Sequence, residues 1–133
     1  ATTTWKVGGN IENKIVYSVP SVAYQNEIVA PAENATYDAK IGLMYVSDYG
    51  FASSPSEWTI ALYGYGADNN WMYMGYSEWT ISRRTDTYNR IYVSGHVYSS
   101  SDTGRGIRPS FSLESSITYV SGSGSMSDPV RIN

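Results

Sequence analysis

One histidine, twelve carboxylates and no cysteine are what this chain offers to catalysis or metal binding. His96 stands beside Gly95 in a β-type stretch, at the tip of an expected hairpin, and no second histidine or cysteine exists to complete a zinc site. It reads as a solvated turn residue. A Ser-His-Asp triad needs its serine on a strained elbow, but Gly-X-Ser-X-Gly does not occur, and Gly122-Ser123-Gly124 belongs to a flexible polar linker. Glu57 and Glu78 suggest the carboxylate pair of a glycosidase. Each sits in a copy of Ser-Glu-Trp-Thr-Ile, at 56–60 and 77–81, and Glu57 is better explained as a helix-capping residue. Asp68-Asn69-Asn70-Trp71 presents oxygen ligands for calcium, with Glu78 near in sequence but no convincing second cluster. The reading is no catalytic residue, no metal and no cofactor.

Binding is a better use of these residue types. Between Trp58 and Arg108 the chain is rich in Tyr, Ser, Gly, Asn and Trp, as antibody paratopes are, which gives rigid contact area and adaptable hydrogen bonding at low entropy cost. The whole chain has 13 Tyr and 4 Trp against 2 Phe, so most of its rings carry a polar tip suited to a wet boundary. Tyr63, Tyr65, Trp71, Tyr73 and Tyr76, with Asp68, Asn69 and Asn70 among them and Tyr88 and Tyr92 beyond, are the expected ligand or subunit contacts. Strand alternation would place Trp71 and Tyr73 on one face and Met72 and Met74 on the other, with the Met face inside. The aromatic face then serves either as a carbohydrate platform or as a subunit contact.

The elements that must position these rings read mainly as short strands. Lys14–Val19 ends at Pro20, Glu27–Val29 ends near Pro31, and Ile41–Val46 is apolar and aromatic enough for a central strand. Arg90–Ser94 and Val97–Ser99 flank Gly95-His96 as a hairpin, Gly95 supplying a positive φ. Ile117–Val120 and Pro129–Ile132 are expected to close the fold across Ser121–Ser125. One helix is expected from Pro55 to about Tyr63, with Ser54 as N-cap, Pro55 first, Glu57 third and Trp58, Ala61 and Leu62 on one apolar stripe. By this reading the two Ser-Glu-Trp-Thr-Ile copies differ, one helical and one in a strand. Thr2–Trp5 is either an edge strand or a segment donated to a neighbour.

Composition sets the outer bounds. At 133 residues the chain suits one domain, 1–133, with N-terminal strands and a connection over 1–39 and a core over 40–132. A net charge of -3, a pI near 5.0 and six scattered Arg argue against nucleic acid. Residues 1–133 contain neither a membrane-spanning apolar run nor a signal peptide. Three Lys among many Tyr, Ser and Thr suit an exported protein, and Asn34-Ala35-Thr36 fits a glycosylation acceptor that matters only in a secretory pathway using it.

Several motifs carry a resemblance. Ile41-Gly42-Leu43-Met44-Tyr45-Val46-Ser47-Asp48-Tyr49-Gly50-Phe51-Ala52, then Asn69-Asn70-Trp71-Met72, Glu78-Trp79-Thr80-Ile81-Ser82, Gly106-Ile107-Arg108-Pro109-Ser110-Phe111-Ser112-Leu113 and the terminal Ser-Gly-Ser-Gly…Ser-Asp-Pro segment follow in order. Over 40–132 the chain resembles a domain of surface-exposed, pilin-like proteins of Gram-positive (Firmicutes) bacteria. That resemblance implies an extracellular structural subunit or exposed head of a filament with an adhesive role, its partners being copies of itself, a host receptor or a glycan. Family members commonly carry an N-terminal prepilin-type helix, which residues 1–133 lack. More loosely, Trp79–Ser82, Tyr92-Val93, Gly95 and Gly106–Pro109 resemble the core of C-type-lectin-like domains, including phage and bacterial variable proteins. This implies an α+β fold with a twisted antiparallel sheet, one short helix and long loops, and a core place for Trp79. Arg108, flanked by apolar residues before Pro109, is expected to act structurally, through a buried ion pair or a fork onto backbone carbonyls, with Asp48 as the candidate carboxylate.

Overall fold

The computed structural model describes residues 1–8, 17–66, 70–83, 88–91, 95, 97–100 and 105–133, with the backbone alone at 88–91 and 98–100. The chain is a small α+β protein of short antiparallel strands and short helices. β1 (Thr3–Lys6) pairs with β2 (Thr36–Ala39) in the register Thr3↔Ala39 to Lys6↔Thr36, so the N-terminal strand is paired within its own chain. Buried Trp5 donates its indole N–H to the Ala39 carbonyl at 3.1 Å, and its ring lies over Gly42. A Cβ at Gly42 would come within 2.5 Å of that ring, so glycine is required by the close approach.

Between β1 and β2 the second expected strand, Glu27–Val29, gives way to helix. Residues 14–16 lie outside the described residues, while Pro20 opens α1 (Pro20–Tyr24), which runs on as a wide π-type turn over Gln25–Val29. Expecting a strand at Glu27–Val29 was wrong, although Ile28 and Val29 favour one. Glu27 explains the override: it is only 2 % exposed, and its carboxylate accepts the N–H groups of Val46 (3.0 Å) and Ser47 (3.1 Å) and the Ser82 hydroxyl. Lys6 Nζ donates to the Ile28 carbonyl at 2.6 Å on the same turn.

The same carboxylate shortens the next strand. β3 is only Gly42–Leu43, because α2 (Val46–Phe51) begins where Glu27 takes the first N–H groups and Asp48 Oδ2 takes that of Tyr45 at 2.9 Å. The expected strand Ile41–Val46 therefore ends after Leu43. The expected helix over 55–63 is likewise replaced by two 3-10 turns, Pro55–Thr59 and Leu62–Gly64, with Ile60 and Ala61 extended between them. Ser54 makes no side-chain cap, though its carbonyl accepts the Glu57 N–H at 2.8 Å. Leu62 is fully buried, whereas Trp58 faces solvent and packs edge-on against Phe51 at 5.2 Å.

In the second half, β4 (Glu78–Arg83), β5 (Tyr88–Ile91) and β6 (Val97–Ser100) form one antiparallel sheet. β5 and β6 pair as a hairpin about Gly95 (φ +92°), but Ile91 rather than Ser94 lies opposite Val97, so the register is not that of the expected two-residue Gly95-His96 turn; residues 92–94 and 96 lie outside the described residues. Ser-Glu-Trp-Thr-Ile is a 3-10 turn at its first occurrence and β4 at its second. β7 (Pro109–Ser110) pairs with β3, and β8 (Tyr119–Ser121) with β9 (Arg131–Ile132), so the C-terminal strands form their own hairpin. The core gathers Ala23, Met44, Val46, Tyr49, Leu62, Tyr65 and Val97, with the Tyr49 hydroxyl donating to the Gly95 carbonyl at 2.6 Å. No helix among the described residues is long and apolar enough to cross a membrane.

Burial pushes the Glu27 carboxyl from its ordinary 4.5 to about 7, against the opposing hydrogen bonds of Ser47, Ser82 and the Val46 N–H. Between those values the folded chain holds a proton that the unfolded chain releases, so stability falls as the pH rises from 4.5 and levels off above 7. The full effect is about 3 kcal/mol. Urea unfolding followed from pH 5 to 8.5 should show wild type losing stability relative to Glu27→Gln. Parallel pH profiles for the two proteins would contradict this account.

Candidate ligand-binding site

The end of α2 and the turn that follows the 3-10 segment meet at Ser53 and Asn70, which form an antiparallel bridge. Asn70 is buried, and its amide does the work of a strand partner: Nδ2 donates to the Tyr49 carbonyl at 2.8 Å and Oδ1 accepts the Met72 N–H at 3.0 Å. Trp71 N–H reaches the Ala52 carbonyl at 3.3 Å, and Tyr73 N–H reaches the Asn70 carbonyl at 3.1 Å. With the backbone held on both sides, the Trp71 ring is turned out to 78 % exposure. A large indole is thus fixed to a short turn whose N–H groups at 71–73 are all hydrogen-bonded.

Two shallow clefts open against this ring. One, of about 490 Å³, is lined by Ala52, Ser53, Ser54, Asn70 and Trp71. The other, of about 400 Å³, lies between Met44, Asp48, Phe51, Ala52, Trp71, Met72 and Ser110. Ser53 is committed inward, its hydroxyl donating to the Gly50 carbonyl at 2.7 Å. Asp48 keeps one oxygen on the Tyr45 N–H, and burial raises its carboxyl above the ordinary range. Trp58 donates its indole N–H to the Ser53 carbonyl at 3.2 Å and braces Phe51 beside the second cleft. A flat apolar surface bordered by hydroxyls and one carboxyl suits a ligand with a C–H face and a rim of hydroxyl donors.

The expected aromatic strip separates into different environments. Tyr65 lies inside, its hydroxyl donating to the Glu57 carbonyl at 3.1 Å, and so presents no surface to a partner. Trp71 faces out and Met72 packs against the core as expected, but Tyr73 packs there too and Met74 is exposed, because 71–77 is irregular rather than strand. Tyr63 is exposed but stacked on Tyr17 at 5.3 Å. Tyr76 is exposed beside Gly106. Asp68, Asn69, Tyr92 and His96 lie outside the described residues, as does the side chain of Tyr88. Of the expected oxygen ligands, Asn70 and Glu78 are committed to protein partners.

Arg108 does hold a structural pair, but with Glu78 rather than Asp48. Its guanidinium engages both oxygens of Glu78, Nε to Oε1 at 3.2 Å and Nη2 to Oε2, and Nη2 also donates to the Met72 carbonyl. Asp48 is occupied as a helix cap instead. Trp79 is half-buried on the opposite face of β4, where it lines an apolar groove of about 310 Å³ with Leu43, Ile81 and Ile107. The reading of the sequence missed Glu27 and Phe51. The one signal for Glu27 was an acid set directly before Ile28-Val29.

Arg108→Ala leaves the Glu78 carboxylate buried at 2 % exposure without its cation, which should cost about 3–5 kcal/mol. Trp71→Ala removes an exposed ring and should stay within about 0.5 kcal/mol of wild type. Chemical denaturation of the two variants checks both, and equal stabilities would remove the structural role given to Arg108. Compared with protein-family models, with curated proteins and with solved structures, the chain matches none of them.

Proposed function

We propose that this chain is a non-enzymatic adhesive module of a bacterial cell surface, with a C-type-lectin-like architecture, and that it binds carbohydrate on Trp71. The observation that carries the reading is a 78 % exposed indole, fixed by the Asn70 turn, that lines two open clefts. The ring stacks on the C–H face of a sugar, and the Asp48 carboxyl and the Ser54 and Ser110 hydroxyls meet its hydroxyl rim. Because the turn is already ordered, binding immobilises little that was free, which favours affinity. An extracellular place is supported by the composition and by the resemblance to Firmicutes surface domains.

A second reading, a pilus-like structural subunit, is favoured by the C-terminal region. There Phe111, Leu113, Tyr119, Val120, Met126 and Val130 are all exposed, more apolar surface than a lone hairpin keeps without a partner. The two readings separate experimentally. A glycan array followed by calorimetry should find a carbohydrate ligand for the monomer, with affinity falling about thirtyfold or more in Trp71→Ala at unchanged circular dichroism. Regular filaments in electron microscopy, growing with concentration and unaffected by Trp71→Ala, together with no glycan ligand, would move the function to assembly.

A further inference from the structure

We infer that the Trp71 site takes the interior of an extended, uncharged polysaccharide rather than a chain end or a single sugar; this rests on the carbohydrate reading above. The two clefts share Ala52 and Trp71 and otherwise have different walls, Ser53, Ser54 and Asn70 on one side and Asp48, Phe51 and Ser110 among those on the other. A ligand stacked on the shared ring therefore borders both clefts. At about 490 and 400 Å³, each cleft alone falls in the range of a small-molecule site. A single pyranose on the indole leaves most of that space to solvent, whereas a chain fills it.

The shape of the clefts excludes a chain-end site. Recognition of a terminal residue needs a pocket with a closed end, and both clefts here are shallow and open to solvent. Charge narrows the chemistry further. Among the described residues, Asp48 is the one ionisable group lining either cleft, and no described Lys or Arg lines them. A uronate, sulfate or phosphate along the chain would meet a carboxyl without a compensating cation, while neutral hydroxyls find an acceptor in Asp48 and partners in Ser54 and Ser110.

The test is calorimetry on the intact 133-residue chain, using gluco-, manno- and chito-oligosaccharides from monosaccharide to hexasaccharide, with oligogalacturonates of matched length as the charged probe. Affinity should rise about tenfold or more from monosaccharide to tetrasaccharide in at least one uncharged series. Ser54→Trp and Ser110→Gln, each filling one cleft, should each lower the ratio of tetrasaccharide to monosaccharide affinity. Circular dichroism and a melting curve establish that both variants fold. A series that binds equally at every length, or binding of the oligogalacturonates alone, overturns the inference and leaves carbohydrate binding standing. No binding by any oligosaccharide, with Trp71→Ala inert as well, overturns both.

Discussion

Two buried carboxyl groups, Glu27 and Glu78, tie this structure together, and both take their hydrogen-bond partners from far along the chain. Stripping water from a carboxylate costs several kcal/mol unless donors replace it. Glu27 finds them in the first N–H groups of α2 and the Ser82 hydroxyl, so one side chain joins the π-type turn, the helix and β4. Glu78 finds them in Arg108, whose guanidinium also reaches the Met72 carbonyl. β4 consequently presents Glu78, Thr80 and Ser82 to the interior and leaves Trp79 and Ile81 half-buried on its other face. This inverts the usual apolar-in pattern of a half-buried strand. The strand acts here less as part of an apolar core than as a row of polar fasteners for the segments around it.

Most disagreements between sequence and structure trace to those fasteners. Propensity read Glu27–Val29 and Ile41–Val46 as strands, and within their own neighbourhoods the residues justify it. What makes both regions coil is a contact between Glu27 and N–H groups 19 and 20 residues away, a separation no local pattern encodes. Arg108 was legible as an ion-pair residue because it is a lone cation between apolar neighbours. Its partner was not, since Asp48 and Glu78 differ only in which one the topology brings close. Where structure is local, the reading came nearer. The existence of the β5–β6 hairpin, though not its register, follows from a glycine between β-formers, and the closing hairpin from two apolar runs around a Ser-Gly linker. The expected Pro55 helix marks the limit of that rule: the start is correct, but without the Ser54 side-chain cap the segment stays a 3-10 turn and ends at Thr59.

The candidate site shows why composition located a surface but not its residues. Tyr63, Tyr65, Trp71, Tyr73 and Tyr76 were equivalent as a list of rings, because each combines an apolar body with a polar tip. Their backbones separate them. Tyr65 follows a 3-10 turn that aims it at Ser53 and the Gly50 carbonyl, so its hydroxyl is satisfied indoors. Trp71 follows Asn70, whose buried amide uses its capacity on Tyr49 and Met72 and leaves the next side chain no direction but outward. The carbonyl that Arg108 grips belongs to Met72, the residue after the indole. The Glu78–Arg108 pair therefore extends from the sheet into the turn that carries Trp71. A ring that must receive a ligand without first being ordered needs such an anchor, since each freely rotating side chain immobilised on binding costs about 0.5–1.5 kcal/mol. The polar interior of β4 and the exposed indole are in this sense one arrangement: the buried charge costs stability, and under the proposed carbohydrate reading the return is a ring held in place before a ligand arrives.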